Sequence, residues 1–169
     1  MITLITGGVK SGKTAHALKL CDAYTGKTYV ATAEAFDEAM QTKIDLHKAE
    51  RDASWVTIEE PVSLHSVFDN AQEQDVILID CITMWLNNLI YKQLNTEKHI
   101  EHFLVRLAEC GKPVVLVTNE TGLGVMPANP DACRFADELG KLNTKLAAMS
   151  DEVIFMISSI PLTIKGAKK

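Results

Sequence analysis

The residues best placed to do chemistry lie near the start of the chain, in the run Gly7-Gly8-Val9-Lys10-Ser11-Gly12-Lys13-Thr14. The run fits G-x-x-x-x-G-K-[ST] without a mismatch, the pattern of a phosphate-binding P-loop. It follows an apolar, β-branched stretch, Ile2 to Thr6, and opens a helical one, which is the context such a loop needs. Gly7, Gly8 and Gly12 permit the positive φ angles and close backbone approach that wrap a phosphate. The N–H groups around Val9, Lys10 and Ser11, together with the helix N-terminus, supply partial positive charge. Lys13 brings a full charge to the β- and γ-phosphates, and the Thr14 hydroxyl can ligate Mg²⁺. Such a loop also needs an acid for its Mg²⁺, usually at the end of a neighbouring apolar strand. Val76-Ile77-Leu78-Ile79-Asp80 has that form. Asp80 can serve the metal, or cap the helix after it, or do both. These features define a protein that binds a nucleoside triphosphate; they leave open whether it is a kinase, a switch or a motor.

The elements that must position these groups alternate. Ile2–Thr6, Thr28–Thr32, Trp55–Ile58, Val76–Asp80, Pro113–Thr118 and Val153–Ser158 read as strands, and Leu162–Lys165 as a short last one. Lys13–Tyr24, Phe36 to about Arg51, Thr83–Leu94, about Glu97–Cys110 and Asp131–Met149 read as helices. Pro61 suits the first turn of a further helix, and a glycine-rich loop runs from Asn119 to Pro130. Strands that alternate with helices require crossover connections and a mostly parallel sheet covered on both faces. The fold class is therefore three-layer α/β, and the expected organisation is a single domain over residues 1–169.

Composition narrows the function further. With 17 basic and 22 acidic residues and a net charge of −5 in 169 residues, the chain lacks the overall basic surface of a nucleic-acid binder, which weakens a DNA motor. Val76 to Ile90, the richest apolar stretch, is too short and contains Asp80, so no membrane span is expected. The N-terminal residues lack the pattern of a signal peptide. Cys21, Cys81, Cys110 and Cys133 are scattered without a Cys-x-x-Cys pair, as expected of reduced, mostly buried thiols in a cytoplasmic protein.

Nearly the whole chain resembles the bifunctional adenosylcobinamide kinase / adenosylcobinamide-phosphate guanylyltransferases of cobalamin biosynthesis. The likeness runs through Ile5-Thr6-Gly7-Gly8 with Lys10-Ser11-Gly12-Lys13-Thr14, Tyr29-Val30-Ala31-Thr32-Ala33-Glu34-Ala35 and Asp37-Glu38-Ala39-Met40. It continues in Ile44, His47-Lys48, Arg51, Trp55, Thr57, Glu59-Glu60-Pro61 and Asp80-Cys81-Ile82-Thr83-Met84-Trp85-Leu86. It ends in Thr118-Asn119-Glu120, Gly122-Leu123-Gly124-Val125-Met126-Pro127, Arg134-Phe135-Ala136-Asp137 and Gly140-Lys141-Leu142-Asn143. The resemblance implies a RecA-like P-loop NTPase fold and a homotrimer. It implies two reactions: ATP or GTP phosphorylates adenosylcobinamide, and GTP then donates GMP to adenosylcobinamide phosphate, giving adenosylcobinamide-GDP and pyrophosphate. It implies a histidine that carries GMP, matched here by His47; where many relatives have two histidines this chain has Leu46-His47. By the same carry-over Thr32, Ala33, Glu34, Lys48, Ala49, Glu50, Arg51, Glu59 and Asp80 match positions that meet guanine nucleotide. Glu59 or Asp80 could accept from guanine N1–H and N2–H₂. Asn119-Glu120 could contact substrate or metal, or cap its loop.

A neutral imidazole is a competent nucleophile toward phosphorus, and an ordinary histidine is mostly neutral at pH 7. A helix starting at Phe36 rises about 1.5 Å per residue, which sets His47 roughly 15 Å from the strand edge where ligands bind. The expectation is a helix that crosses that edge or swings to it when GTP binds. Two rivals remain from the sequence: a plain small-molecule or nucleoside kinase, and a non-catalytic nucleotide switch or motor subunit.

Overall fold

Short runs rich in valine and isoleucine form the strands of one sheet, and the amphipathic segments pack on its two faces. A computed structural model of the protein describes residues 1–34, 53–71, 73–125 and 127–166. The strands are β1 (Ile2–Gly7), β2 (Lys27–Ala31), β3 (Trp55–Glu59), β4 (Val76–Asp80), β5 (Val114–Val117), β6 (Glu152–Ile157) and β7 (Ile160–Lys165). The helices are α1 (Lys13–Cys21), α2 (Val67–Asn70), α3 (Ile82–Tyr91), α4 (Thr96–Glu109) and α5 (Pro130–Met149), with a 3₁₀ turn at Leu64–Ser66. The predicted helix over 36–51 lies outside the described residues.

The sheet order is β3-β2-β4-β5-β1-β6-β7. Every neighbouring pair is parallel except β6–β7, an antiparallel hairpin. The registers Ala31↔Glu59, Ala31↔Asp80, Asp80↔Val117 and Gly7↔Met156 bring the carboxyl ends of six strands to one edge. The three-layer, mostly parallel α/β architecture is thus the one expected.

Side-chain alternation along the strands sorts the core into two layers. Leu4, Val30, Ile77, Ile79, Val114, Leu116 and Val153 face the layer that includes α3, α4 and α5. Ile5, Tyr29, Val76, Leu78, Val115, Val117, Ile154 and Met156 face α1, which contributes Ala17 and Cys21. On the first face Trp85 and Phe103 are fully buried with ring centroids 5.1 Å apart. Burial of a large apolar side chain contributes about 1.5–3 kcal/mol.

Three local expectations need correction. The first helix stops at Cys21 rather than Tyr24, because the following turn is claimed by Asp75: its carboxylate accepts from Gly26 N–H (2.9 Å) and the Thr25 hydroxyl (2.8 Å). Those donors hold the Asp75 carboxyl below its ordinary pKa. Pro61 does not open a helix; helical structure begins at Leu64. Glu60 turns the chain there by accepting from Val62 N–H (2.9 Å) and Ser63 N–H (2.6 Å). Finally, of the four free cysteines only Cys21 is buried; Cys81, Cys110 and Cys133 sit at element ends, partly exposed. Among the described residues no helix is long and apolar enough to cross a membrane.

Asn88 on α3 ties the sheet edge to the helical layer. It is fully buried, and its amide donates to Thr32 O (2.7 Å) and Pro61 O (3.1 Å). The neighbouring Trp85 donates to Val62 O (2.6 Å). Asn88→Ala leaves two strand-end carbonyls without this donor and opens a small cavity. The expected cost is about 2–4 kcal/mol, measured as a lowered midpoint in urea denaturation, whereas a polar change at exposed Val56 shifts it by less than about 0.5 kcal/mol.

Candidate active site

The loop between β1 and α1 is built from backbone that most residues avoid. Gly7 has φ 149°, Gly12 φ 87° and Lys10, although not a glycine, φ 56°. A Cβ on Gly7 would lie 2.5 Å from Met156 O of the adjoining β6 strand. One on Gly12 would lie 2.7 Å from Ser159 Oγ at the tip of the β6–β7 hairpin. Three hydrogen bonds also pin the loop, two to other parts of the fold and one within it. Ser159 N–H donates to Ser11 O (3.0 Å), Glu120 N–H donates to Gly7 O (3.0 Å), and Ser11 N–H closes an internal turn on Gly8 O (3.3 Å). Gly12 caps α1 without a side-chain hydrogen bond, so the first N–H groups of that helix remain available to an anion.

Lys13 is the charge of this cradle. Its ammonium donates to Gly8 O (2.6 Å) and Gly7 O (3.1 Å), the carbonyls of the loop it serves. Burial lowers its pKa from the ordinary lysine value, and the nearby Cys81 and Asp80 groups oppose that fall. Although the Cys81 residue is partly exposed, desolvation of its thiol pushes that group up to about 12.

Asp80 ends β4 and faces α1. Its Oδ2 accepts from the Thr14 hydroxyl (2.8 Å) and from the Tyr29 hydroxyl (2.9 Å). Among the described residues, Oδ1 accepts no hydrogen bond. The helix after β4 is capped by Cys81 instead, whose Sγ accepts from Met84 N–H (3.4 Å). The capping alternative for Asp80 is therefore displaced by one residue. A hydroxyl and a carboxylate in contact are hard oxygen donors, which fit Mg²⁺. Among the described residues, Thr14 and Asp80 form such a pair and could hold it.

The remaining expected positions divide into two groups. Thr32, Ala33 and Glu34 follow β2 and Glu59 ends β3, so all four lie at the same edge as the loop. Thr32 is locked by exchange with Cys81: its hydroxyl donates to Cys81 O (2.8 Å) and accepts from Cys81 N–H (2.8 Å). Glu34 pairs with Lys92 (3.0 Å). His47, Lys48, Ala49, Glu50 and Arg51 lie outside the described residues. Asn119 and Glu120 follow β5, directly between the loop strand and the Asp80 strand. A buried polar network holds them there: Asn119 N–H donates to Thr83 Oγ1 (2.7 Å), Asn143 Nδ2 donates to Asn119 O (3.0 Å), and Thr118 Oγ1 donates to Asn143 Oδ1 (2.9 Å). Sequence reasoning counted Tyr29, Asn88 and Asn143 within the family resemblance but gave none of them, nor Ser159, a role in the site. Polar residues inside otherwise apolar strand and helix patterns were the available signal for the first three; Ser159 carried none.

Fold and site together define a P-loop nucleotide-binding protein of the three-layer α/β class. Two solved structures share the fold: the flagellar accessory protein FlaH from Methanocaldococcus jannaschii (TM-score 0.54, 16% identity, 98% of this chain and 78% of that one) and a KaiC-like protein from Pyrococcus horikoshii OT3 (TM-score 0.57, 17% identity, 99% and 80%). The fold is accordingly RecA-like. The model of one family, cobinamide kinase / cobinamide phosphate guanyltransferase, matches residues 3–164. The chain is 37% identical to the bifunctional adenosylcobalamin biosynthesis protein CobP of Pseudomonas aeruginosa, covering 98% of each. It is 34% identical to the protein CobU of Salmonella typhimurium, covering 98% of this chain and all of that one. The chain belongs to the cobinamide kinase / cobinamide phosphate guanyltransferase family, as the sequence resemblance implied.

The glycines make a paired test. Gly7→Ala forces a side chain into Met156 O at a positive φ, whereas a Cβ on Gly8 meets nothing within 4 Å. Thermal melts should show Gly7→Ala destabilised by about 1–3 kcal/mol and Gly8→Ala within about 0.5 kcal/mol of the parent. Equal melting points for the two variants would contradict the packing described.

Proposed function

We propose that the chain phosphorylates adenosylcobinamide with ATP or GTP, and then transfers GMP from GTP to the resulting phosphate through a guanylyl-histidine on His47. The observation that carries the reading is the phosphate cradle itself, with Lys13 in the loop and Thr14 joined to Asp80, in a chain of this family.

In the kinase step the aminopropanol hydroxyl oxygen attacks the γ-phosphorus, its proton passes to solvent water, and the P–O bond to the departing nucleoside diphosphate breaks. The loop N–H groups from Gly8 to Thr14 and the Lys13 ammonium hold the phosphates in line; Lys13 exchanges the Gly7 and Gly8 carbonyls for phosphate oxygens. In the transferase step a neutral His47 nitrogen attacks the α-phosphorus of GTP, and the P–O bond to pyrophosphate breaks. A phosphate oxygen of adenosylcobinamide phosphate then attacks the same phosphorus, the P–N bond breaks, and adenosylcobinamide-GDP forms. Two displacements replace one difficult transfer. Mg²⁺ bound at Thr14 and Asp80 would neutralise charge that develops on the departing phosphates.

Thr32, Ala33, Glu34 and Glu59, with Lys48 to Arg51, are proposed to meet the guanine nucleotide. Glu59, at the end of β3, is proposed to accept from guanine N1–H and N2–H₂, while Asp80 is proposed for the metal. A homotrimer and a cytoplasmic location belong to the same reading.

Incubation with Mg²⁺ and GTP, followed by intact mass and peptide mapping, should find one GMP added on His47, stable in base and labile in acid. His47→Ala should lose guanylyl transfer and retain kinase activity. Lys13→Ala should lose both activities by at least about a hundredfold. Full transferase activity in His47→Ala would overturn the assignment.

A further inference from the structure

Tyr29 lies in the middle of β2, 4% exposed, on the face covered by α1. Its ring meets Trp55 edge-on, with centroids 6.1 Å apart and planes at 80°. Register sets Tyr29 beside Leu78 and two residues short of the Ala31↔Asp80 pair, so the phenol reaches along the sheet to the strand end. There its hydroxyl donates to Asp80 Oδ2, the same oxygen that accepts from Thr14. A buried phenolic O–H needs an acceptor, and a carboxylate is a strong one.

We propose that Tyr29 is a positioning residue for Asp80, fixing the rotation of the carboxylate that would hold the nucleotide's Mg²⁺ and leaving Oδ1 open to it. The proposal rests on Thr14 and Asp80 being the Mg²⁺ pair. Thr14 alone cannot do this work. Its hydroxyl oxygen would have to serve the metal as well, so its donor geometry to Oδ2 would depend on the ligand. The Tyr29 hydroxyl is anchored by a buried ring packed on Trp55, on a strand paired on both sides, and does not depend on the ligand. With Oδ2 held by a donor that does not depend on the ligand, the carboxylate meets the metal already oriented, and less rotational freedom is lost on binding.

Tyr29→Phe keeps the ring and removes only the hydroxyl. The test is equilibrium binding of a fluorescent GTP analogue to the full chain, titrated with Mg²⁺ and repeated in EDTA. Tyr29→Phe should raise the Mg²⁺ concentration at half-effect about five- to tenfold, the size expected for loss of a charge-assisted hydrogen bond. Its affinity in EDTA should match the parent, which also shows that the cradle is intact. Asp80→Asn should weaken the Mg²⁺ response at least as much, and adding Tyr29→Phe to Asp80→Asn should change it no further. An unchanged Mg²⁺ midpoint in Tyr29→Phe beside a weakened Asp80→Asn overturns the role of Tyr29 alone. Equal losses with and without Mg²⁺ overturn it as well, since they mark a general packing defect. An unaltered Mg²⁺ response in Asp80→Asn removes the metal pair and Tyr29's role with it.

Discussion

A cradle made of backbone N–H groups recognises phosphate only while its backbone stays still, because each donor is aimed by φ and ψ and not by a side chain that can adjust. Here the loop from Gly7 to Thr14 holds positive φ at Gly7, Lys10 and Gly12, a shape that costs free energy unless its surroundings enforce it. They do so from both sides. The β5 end clasps Gly7 through the Glu120 N–H, and the β6–β7 turn clasps Ser11 through the Ser159 N–H. The space where Cβ atoms would stand on Gly7 and Gly12 is filled by Met156 and Ser159. The hairpin at the sheet margin thus braces the loop although it carries none of the motif.

Strand order explains why the Thr14–Asp80 contact needs α1. The strand bearing Asp80 is not next to the loop strand, since β5 lies between them. The gap is closed by α1, which leaves β1, crosses β5 and β4 on one face, and brings Thr14 to Asp80. The same insertion places Asn119 and Glu120 between the loop and the acid. The other face answers with Thr83, Asn143 and Asn88, whose hydrogen bonds secure the backbone at the ends of β5, β2 and β3. Apolar packing sets the distance between layers, and these buried polar contacts set the height at which the strand ends stop. Buried groups of this kind are costly when unpaired, so their pairing specifies one arrangement.

The strand and helix segments of the described chain were legible because buried parallel strands read as continuous apolar runs and helices as three- and four-residue spacings. The misjudged boundaries came from side chains that compete for backbone. Asp75 claims Gly26 and Thr25 and shortens α1, while Glu60 claims Val62 and Ser63 and keeps Pro61 out of a helix. Cys81 caps α3, a role the sequence offered to Asp80. Each of these depends on a carboxylate or thiol pointing one way and not another, which periodicity does not encode.

The amino-acid sequence alone determined the phosphate cradle, because eight consecutive residues supply its backbone, its charge and its hydroxyl, and all of that chemistry is local. It also determined the layered α/β class, since hydrophobic period follows directly from strand and helix geometry. Only the tertiary structure decided that Asp80 meets Thr14, that Tyr29 holds the same carboxylate oxygen, and that Ser159 braces the loop. Those contacts join residues far apart in the chain through strand order and register. Many orders and registers are compatible with the same local pattern, and the choice among them is made by packing across the whole sheet.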